Sequence, residues 1–454
     1  MIIDRSKIPQ PTAENHFSFP DIKQFKLSNG IPVLFIEKHN LPIINITVMA
    51  ECGSKFDPAG KKGLTYLFTA LTDEGAGSYS AFQLHDEFDF IGANFSISCD
   101  EDYIYYSVQT ISEHLDKAVE LLNAVITKPH LSEESFQREK QRILTRVTQQ
   151  KDYPDDMADT WFINKLMGNE SPYGYPVTGV YKMIEQISLN DIKDYYKTFI
   201  NSGTISTAVT GDITLPEITD KLNRLMSGLS TSPGVKKTEY HFTDTDKKIY
   251  VIDFPEAAQT EIRIGCKFPG RKDYNFYSRL IMNTILGGQY SSRINQNLRE
   301  AKGFTYGASS LINYWKNAAF FVVTTSVNTD NTGEAVKEIL SELSGIKKGV
   351  TAEEVDFSKS TLVKKFPLFF ETYNQLNSNL AVLFKHNLQL DYFNCYADEI
   401  NKTSIEEINM AAGFIDLEKS VYVLAGDLNK IKVQLRDFEE IELVEIDRDA
   451  SLVN

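Results

Sequence analysis

Apolar residues along the chain fall into runs with two different periods, and the period assigns each run to a strand or a helix. PIINITVMAEC (42–52), TEIRIGCKF (260–268) and AAFFVVTTSV (318–327) are dense in β-branched and aromatic residues, as strands are. NFSISC and YIYYSVQT alternate with period two on either side of the polar turn DED, which predicts a hairpin over 94–110. SEHLDKAVELLNAVI (112–126) instead places apolar residues at i, i+3, i+4 and i+7 behind Ser112, with Glu113 in the first turn. TGEAVKEILSELSGI (332–346) repeats that helical pattern.

The same plan occurs twice. VTGDI at Val209 reads like LAGDL at Leu424, so Gly211 corresponds to Gly426. LSEESF, with Glu133, matches VTAEEV, with Glu353. Gly92 follows the helical run AFQLHDEFDFI as Gly303 follows SSRINQNLREAK. The three offsets differ by only a few residues, as loop insertions in a tandem duplication produce. Between the copies, SGLSTSPGVKKTE is small, polar and contains Ser-Pro-Gly, a linker composition. The expected division is a first domain over 1–226, a linker over 227–239 and a second domain over 240–454. Strands mixed with paired helices inside each half predict an α+β layer in each.

Composition narrows the function. The 454 residues carry a net charge of −15, which disfavours a nucleic-acid partner, and no apolar run is long enough to cross a membrane. MIIDRSKIPQPTAENHFSFP puts charged and polar residues where a leader needs an apolar core. Cys52, Cys99, Cys266 and Cys395 are dispersed, which fits a reducing compartment, and the expected location is cytoplasmic. No HExxH, HxxEH, GxSxG or Walker sequence is present, and no two histidines share a helix face at ligand spacing. His85, His114 and His130 read as solvent-facing or capping residues.

Three runs then acquire a common meaning: 61–108 beginning KKGLTYLFTALTDEGAG, 117–144 beginning KAVELLNAVI, and 171–212 from SPYGYPVTGVYK to TAVTGD. In this order they resemble the insulinase/pitrilysin family of zinc peptidases, in its short branch similar to mitochondrial processing peptidase. NTILGGQYSSRINQNLREAKGFTYGASS (283–310) resembles the family's second domain. The resemblance implies two similar α+β domains, each a mostly antiparallel sheet with helices packed on it. It also implies pairing with a second such chain to enclose a chamber.

Active members of this family carry HxxEH on a first-domain helix and a glutamate ligand further along. Placed on GLTYLFTAL, the histidine positions fall on Thr65 and Thr69 and the glutamate base on Phe68, while the distant ligand falls on Arg146. A threonine hydroxyl is a poor zinc ligand beside imidazole, Phe accepts no proton, and Arg brings positive charge toward a dication. No metal is therefore expected in this chain. Phe68 reads as core, and Arg146 as an exposed helix residue paired with a neighbour such as Glu139.

The second domain keeps Arg299 and Tyr306, matching an arginine–tyrosine pair that the family's active sites borrow from the opposite domain. A guanidinium clamps a peptide carbonyl, and a phenol donates to the oxyanion that forms when activated water attacks. The expected role is a non-catalytic subunit of a heterodimeric zinc metallopeptidase. Its partner would bear HxxEH and zinc, and its substrate would be a peptide; the 94–110 hairpin either binds it by strand addition at a sheet edge or is an ordinary hairpin of the sheet. An acidic chamber would draw in basic peptides. The rival expectation is an inactive peptide-binding or assembly scaffold, possibly homodimeric.

Overall fold

A computed structural model describes residues 18–200, 204–229, 245–273, 275–438, 440–448 and 452. The opening segment and most of the 227–239 linker lie outside the described residues. In the first half the strands are β1 (Lys23–Lys26), β2 (Pro32–Glu37), β3 (Ile43–Ala50), β4 (Asn94–Cys99), β5 (Ile104–Ile111) and β6 (Ile205–Gly211). In the second they are β7 (Lys248–Asp253), β8 (Gln259–Lys267), β9 (Ala308–Tyr314), β10 (Ala319–Asn328), β11 (Val421–Gly426) and β12 (Glu442–Ile446).

These strands form two six-stranded sheets, ordered β1-β2-β6-β3-β5-β4 and β12-β7-β11-β8-β10-β9. Five strands of one sheet map in order onto five of the other. In both, the first pair (β2 with β6, β7 with β11) is parallel and the remaining neighbours are antiparallel. Gly211 and Gly426 end the matched strands β6 and β11, so the sequence repeat is a repeat of topology. Only the sixth strand departs: β1 pairs antiparallel with β2, whereas β12 arrives from the far end of the chain and pairs parallel with β7.

Every residue of β6 and of β11 is buried, so both faces of each sheet are covered. Alternate residues of one strand point to opposite faces and serve different cores. In β2, Val33 and Phe35 join the core beneath the first half's own helices. Leu34 and Ile36 join a core with Leu376, Leu380 and Leu383 of the helix Tyr373–His386. That second-half helix lies across β2, β3 and β6. In return the first-half helix Pro154–Met167 lies across β8 and β11, where Trp161 and Phe162 share a core with Val421 and Val423.

Each half thus lends a helix to the other half's sheet. A sheet with helices packed on it holds in both halves, and the helix on the second face comes from the other half. An i, i+4, i+7 stripe predicts that a helix face will be buried, and it does not name the sheet that buries it.

A buried polar cluster ties the halves together at the turn between β4 and β5. Asp102 has no exposed side chain and receives Lys55 Nζ at 2.7 Å, Tyr173 OH at 2.8 Å and the Lys316 backbone N–H at 2.8 Å. Lys55 also donates to Asn317 Oδ1 at 3.1 Å. Tyr173 stacks on Trp315 with ring centroids 4.8 Å apart. Residues 315–317 belong to the second half, in the turn between β9 and β10.

Candidate functional site

The helix Leu64–Leu71 is capped from a distance. Gly63 takes a left-handed φ of 103°, and no side chain at that position accepts from the first turn. Asp57 does so instead, accepting from the Gly63 N–H at 2.8 Å, the Thr65 N–H at 2.9 Å and the Thr65 hydroxyl at 2.6 Å. A carboxylate at a helix N-terminus is favourably placed, yet burial pushes the Asp57 carboxyl up to about 6 against these donors. Thr65 Oγ1 also lies 3.0 Å from Tyr195 OH, and the Phe68 ring packs 5.1 Å from the Tyr195 ring. Thr65 and Phe68 are both wholly buried. They are a capping hydroxyl and a core ring.

Arg146 sits on the helix Glu133–Gln150, and its Nη1 donates to Tyr66 OH at 2.8 Å, with the guanidinium 5.8 Å from the Tyr66 ring. Glu139, named as its neighbour, is taken by Arg142 and Arg138 instead. The side of the Leu64–Leu71 helix that meets Arg146 therefore begins at Tyr66. Counting i, i+3 and i+4 from there gives Tyr66, Thr69 and Ala70.

The assigned positions therefore do not share one face, and a register one residue later is the one that faces Arg146. Thr65 and Phe68 face the Asp57–Tyr195 core, Thr69 returns its hydroxyl to the Thr65 carbonyl at 2.8 Å, and Arg146 meets Tyr66 instead. In neither register do these positions supply an imidazole or a carboxylate. Among the described residues no cluster of three or more His, Cys, Asp or Glu is placed to hold a metal ion. The donor set does not fit zinc. Of the three histidines read as non-ligands, His130 bonds the Gly77 carbonyl at 2.9 Å and His85 lies 3.6 Å from Asp73.

On the second half, Arg299 lies in a wide helical turn, Gln296–Ala301, with its guanidinium 4.8 Å from the Tyr290 ring. Its Nε is 3.4 Å from Glu300, which also accepts from Tyr290 OH at 2.7 Å. Sequence reading missed Tyr290 and Glu300; Glu300 is adjacent to Arg299, and Tyr290 sits one helical segment earlier. Gly303, at φ 65°, turns the chain out, and the next strand begins at Ala308. Tyr306 precedes that strand, is 90% exposed, and has no hydrogen-bond partner among the described residues.

Tyr290, beneath Arg299, and Gly307, beside Tyr306, line one open cleft of about 420 Å³ together with Gly287, Gly288 and Ser309. Gly287 allows close approach there, since a Cβ would meet Ser310 N at 2.4 Å. β9 forms the margin of its sheet, as β4 does in the first half, and beside the cleft its Ala308 and Ser310 N–H groups are taken by Asn295 Oδ1 at 3.2 Å and the Gly287 carbonyl at 3.0 Å. Among the described residues no hydrogen bond or ion pair joins Arg299 or Tyr306 to the Leu64–Leu71 helix. No helix among them is long and apolar enough to cross a membrane.

Residues 32–177 match the insulinase (peptidase family M16) domain, and residues 186–362 match the peptidase M16 inactive domain. A protein of Bacillus subtilis described as an uncharacterized zinc protease is 22% identical over 395 residues, 86% of this chain and 94% of that one. A protein described as a non-peptidase homolog, from Helicobacter pylori, is 23% identical over 383 residues, 84% of this chain and 88% of its own. The crystal structure of a peptidase M16 inactive domain from Pseudomonas fluorescens superposes with a TM-score of 0.84 at 23% identity. It covers 90% of this chain and 98% of that one. With two matched domains spanning most of its length and the duplicated sheet topology described above, this chain belongs to the insulinase family, peptidase family M16.

Proposed function

We propose that this chain is the non-catalytic subunit of a heterodimeric zinc metallopeptidase, and that it acts on peptides through Arg299 and Tyr306. The observation that supports the proposal is Tyr306, 90% exposed with no hydrogen-bond partner among the described residues, next to Gly307 of the cleft that Tyr290, the ring under Arg299, also lines. A phenol with its hydroxyl in solvent is free to donate to an oxyanion brought by another chain. The helix that would hold a metal has given its positions to a cap, a core ring and an arginine–tyrosine contact. The zinc, its ligands and the base therefore belong to an HxxEH-bearing partner, and this chain supplies transition-state contacts and part of the chamber wall.

The test is co-purification with such a partner followed by peptide cleavage. Tyr306→Phe is expected to lower kcat by about ten- to a thousandfold while the partner's zinc content stays constant. Unchanged cleavage with both Tyr306→Phe and Arg299→Ala overturns the proposal and leaves the scaffold reading in its place.

A further inference from the structure

At the opposite end of β9 from Tyr306, where the halves meet, a cavity of about 440 Å³ opens between β8, the turn joining β9 to β10, and the end of the helix Tyr373–His386. Five cationic side chains line it: Lys267, Arg271, Lys272, Lys316 and Lys385. Its one acidic lining residue is Asp273, whose carboxylate accepts from the Gly270 N–H at 2.5 Å and so holds its own turn. A chain of net charge −15 has concentrated positive charge in one concavity.

Part of that charge is balanced from the first half. Lys316 pairs with Glu51 at 2.6 Å, and Lys385 with Asp100 at 2.7 Å. Arg271 and Lys272 have no carboxylate within ion-pair distance among the described residues. The Arg271 guanidinium lies 3.1 Å from the centre of the Phe276 ring and donates to Tyr392 OH, an aromatic setting that fixes the fork in place. Burial, with Arg271 and Lys385 adding to it, holds His386 down to about 4, so at neutral pH its ring offers a hydrogen-bonding nitrogen without charge.

The helix end does not oppose an anion with bare carbonyls. The Leu383 and Phe384 carbonyls are taken by the Leu388 and Asn387 N–H groups. Asn317 and Asn387 add uncharged polar groups, and Met167, Phe268, Ala318 and Ala319 form an apolar wall.

We infer that this cavity binds a small organic oxyanion, a carboxylate or phosphate ester carrying an apolar group, with Arg271 and Lys272 meeting the charge and the Phe268–Met167 side meeting the body. The proposal is independent of the subunit reading, because its probes require no partner chain.

Titration calorimetry on the full chain tests it with three pairs of probes. These are N-acetylphenylalanine against its amide, phenyl phosphate against inorganic phosphate, and a short peptide ending in free phenylalanine against the same peptide amidated. Binding of the acid and loss on amidation, weakening with added salt, is expected. Tighter binding of the free-ended peptide identifies a peptide C-terminus as the source, and tighter binding of phenyl phosphate identifies a phosphate ester. Arg271→Gln is expected to weaken binding at least about tenfold. Because Arg271 is caged by aromatic rings, exposed Lys272→Glu is the companion variant, with the same expected loss and an unchanged melting temperature. Absence of binding at millimolar probe, or binding that neither variant weakens, overturns the inference.

Discussion

Replacing Tyr66, Thr69, Ala70 and Arg146 together by His, Glu, His and Glu is expected to give a folded chain that retains one zinc ion through dialysis. The alternative set, Thr65→His, Phe68→Glu, Thr69→His and Arg146→Glu, is expected to retain none and to melt well below the parent. The difference comes from which way one helix faces. Tyr66 already reaches Arg146 at 2.8 Å, so side chains at 66, 70 and 146 converge on one space, and a His2Glu set with an open fourth position suits zinc. Tyr66 and Ala70 are only half-buried, and larger or polar groups there reach solvent.

The alternative set attacks the interior. Thr65→His removes a hydroxyl that joins Asp57 at 2.6 Å to Tyr195 at 3.0 Å, in a position with no exposed surface. Phe68→Glu deletes a buried ring, a loss of about 3–5 kcal/mol for truncation alone, and adds a carboxylate with no partner. Metal content and thermal unfolding of the two quadruple variants decide the register. Zinc retained by the alternative set, or a folded first set without zinc, means that the Arg146 contact does not mark the ligand face.

The two possible registers of this helix show what sequence can and cannot resolve. GLTYLFTAL offers apolar or small residues at nearly every position, so the helix pattern leaves the ligand face open to a rotation of about 100°. Only the partner of Arg146 breaks the tie, and that contact spans 80 residues. The strands were legible for the opposite reason. β-branched runs ending at Gly211 and Gly426, and the NFSISC/YIYYSVQT alternation, carry their geometry locally.

The exchanged helices 154–167 and 373–386 were not legible, because an apolar stripe fits either sheet equally well. The same holds for β12, whose parallel partner β7 is the first strand of the same half. Arg299 and Tyr306 stand out in the sequence through the resemblance alone. Their setting was not legible, since the Tyr290–Glu300 contact that holds Arg299 follows from the shape of a wide helical turn.

Asp102→Ala is expected to destabilise the chain by about 3–5 kcal/mol and to loosen both halves at once. Lys55, at 2% exposure, has Asp102 at 2.7 Å as its only ion-pair partner among the described residues. Removing the carboxylate leaves an ammonium in the interior, along with the Tyr173 hydroxyl and the Lys316 N–H that it also accepted. Burial alone would raise the Asp102 carboxyl, but Lys55 and the other donors outweigh it and hold the group below its ordinary value. A depressed acid stabilises the fold above its unfolded value and loses that contribution as pH falls through the folded one.

The gap between the parent and Asp102→Asn should therefore be full at neutral pH and close only in acid below the usual carboxylate range. Urea unfolding at neutral pH and at several acid values measures it. Adding Lys55→Met to Asp102→Asn should recover part of the loss, since an apolar replacement removes the stranded charge. A loss under about 1 kcal/mol for Asp102→Ala, within the range of a surface ion pair, would mean that solvent reaches Lys55 and that the joint between the halves is held by its apolar cores instead.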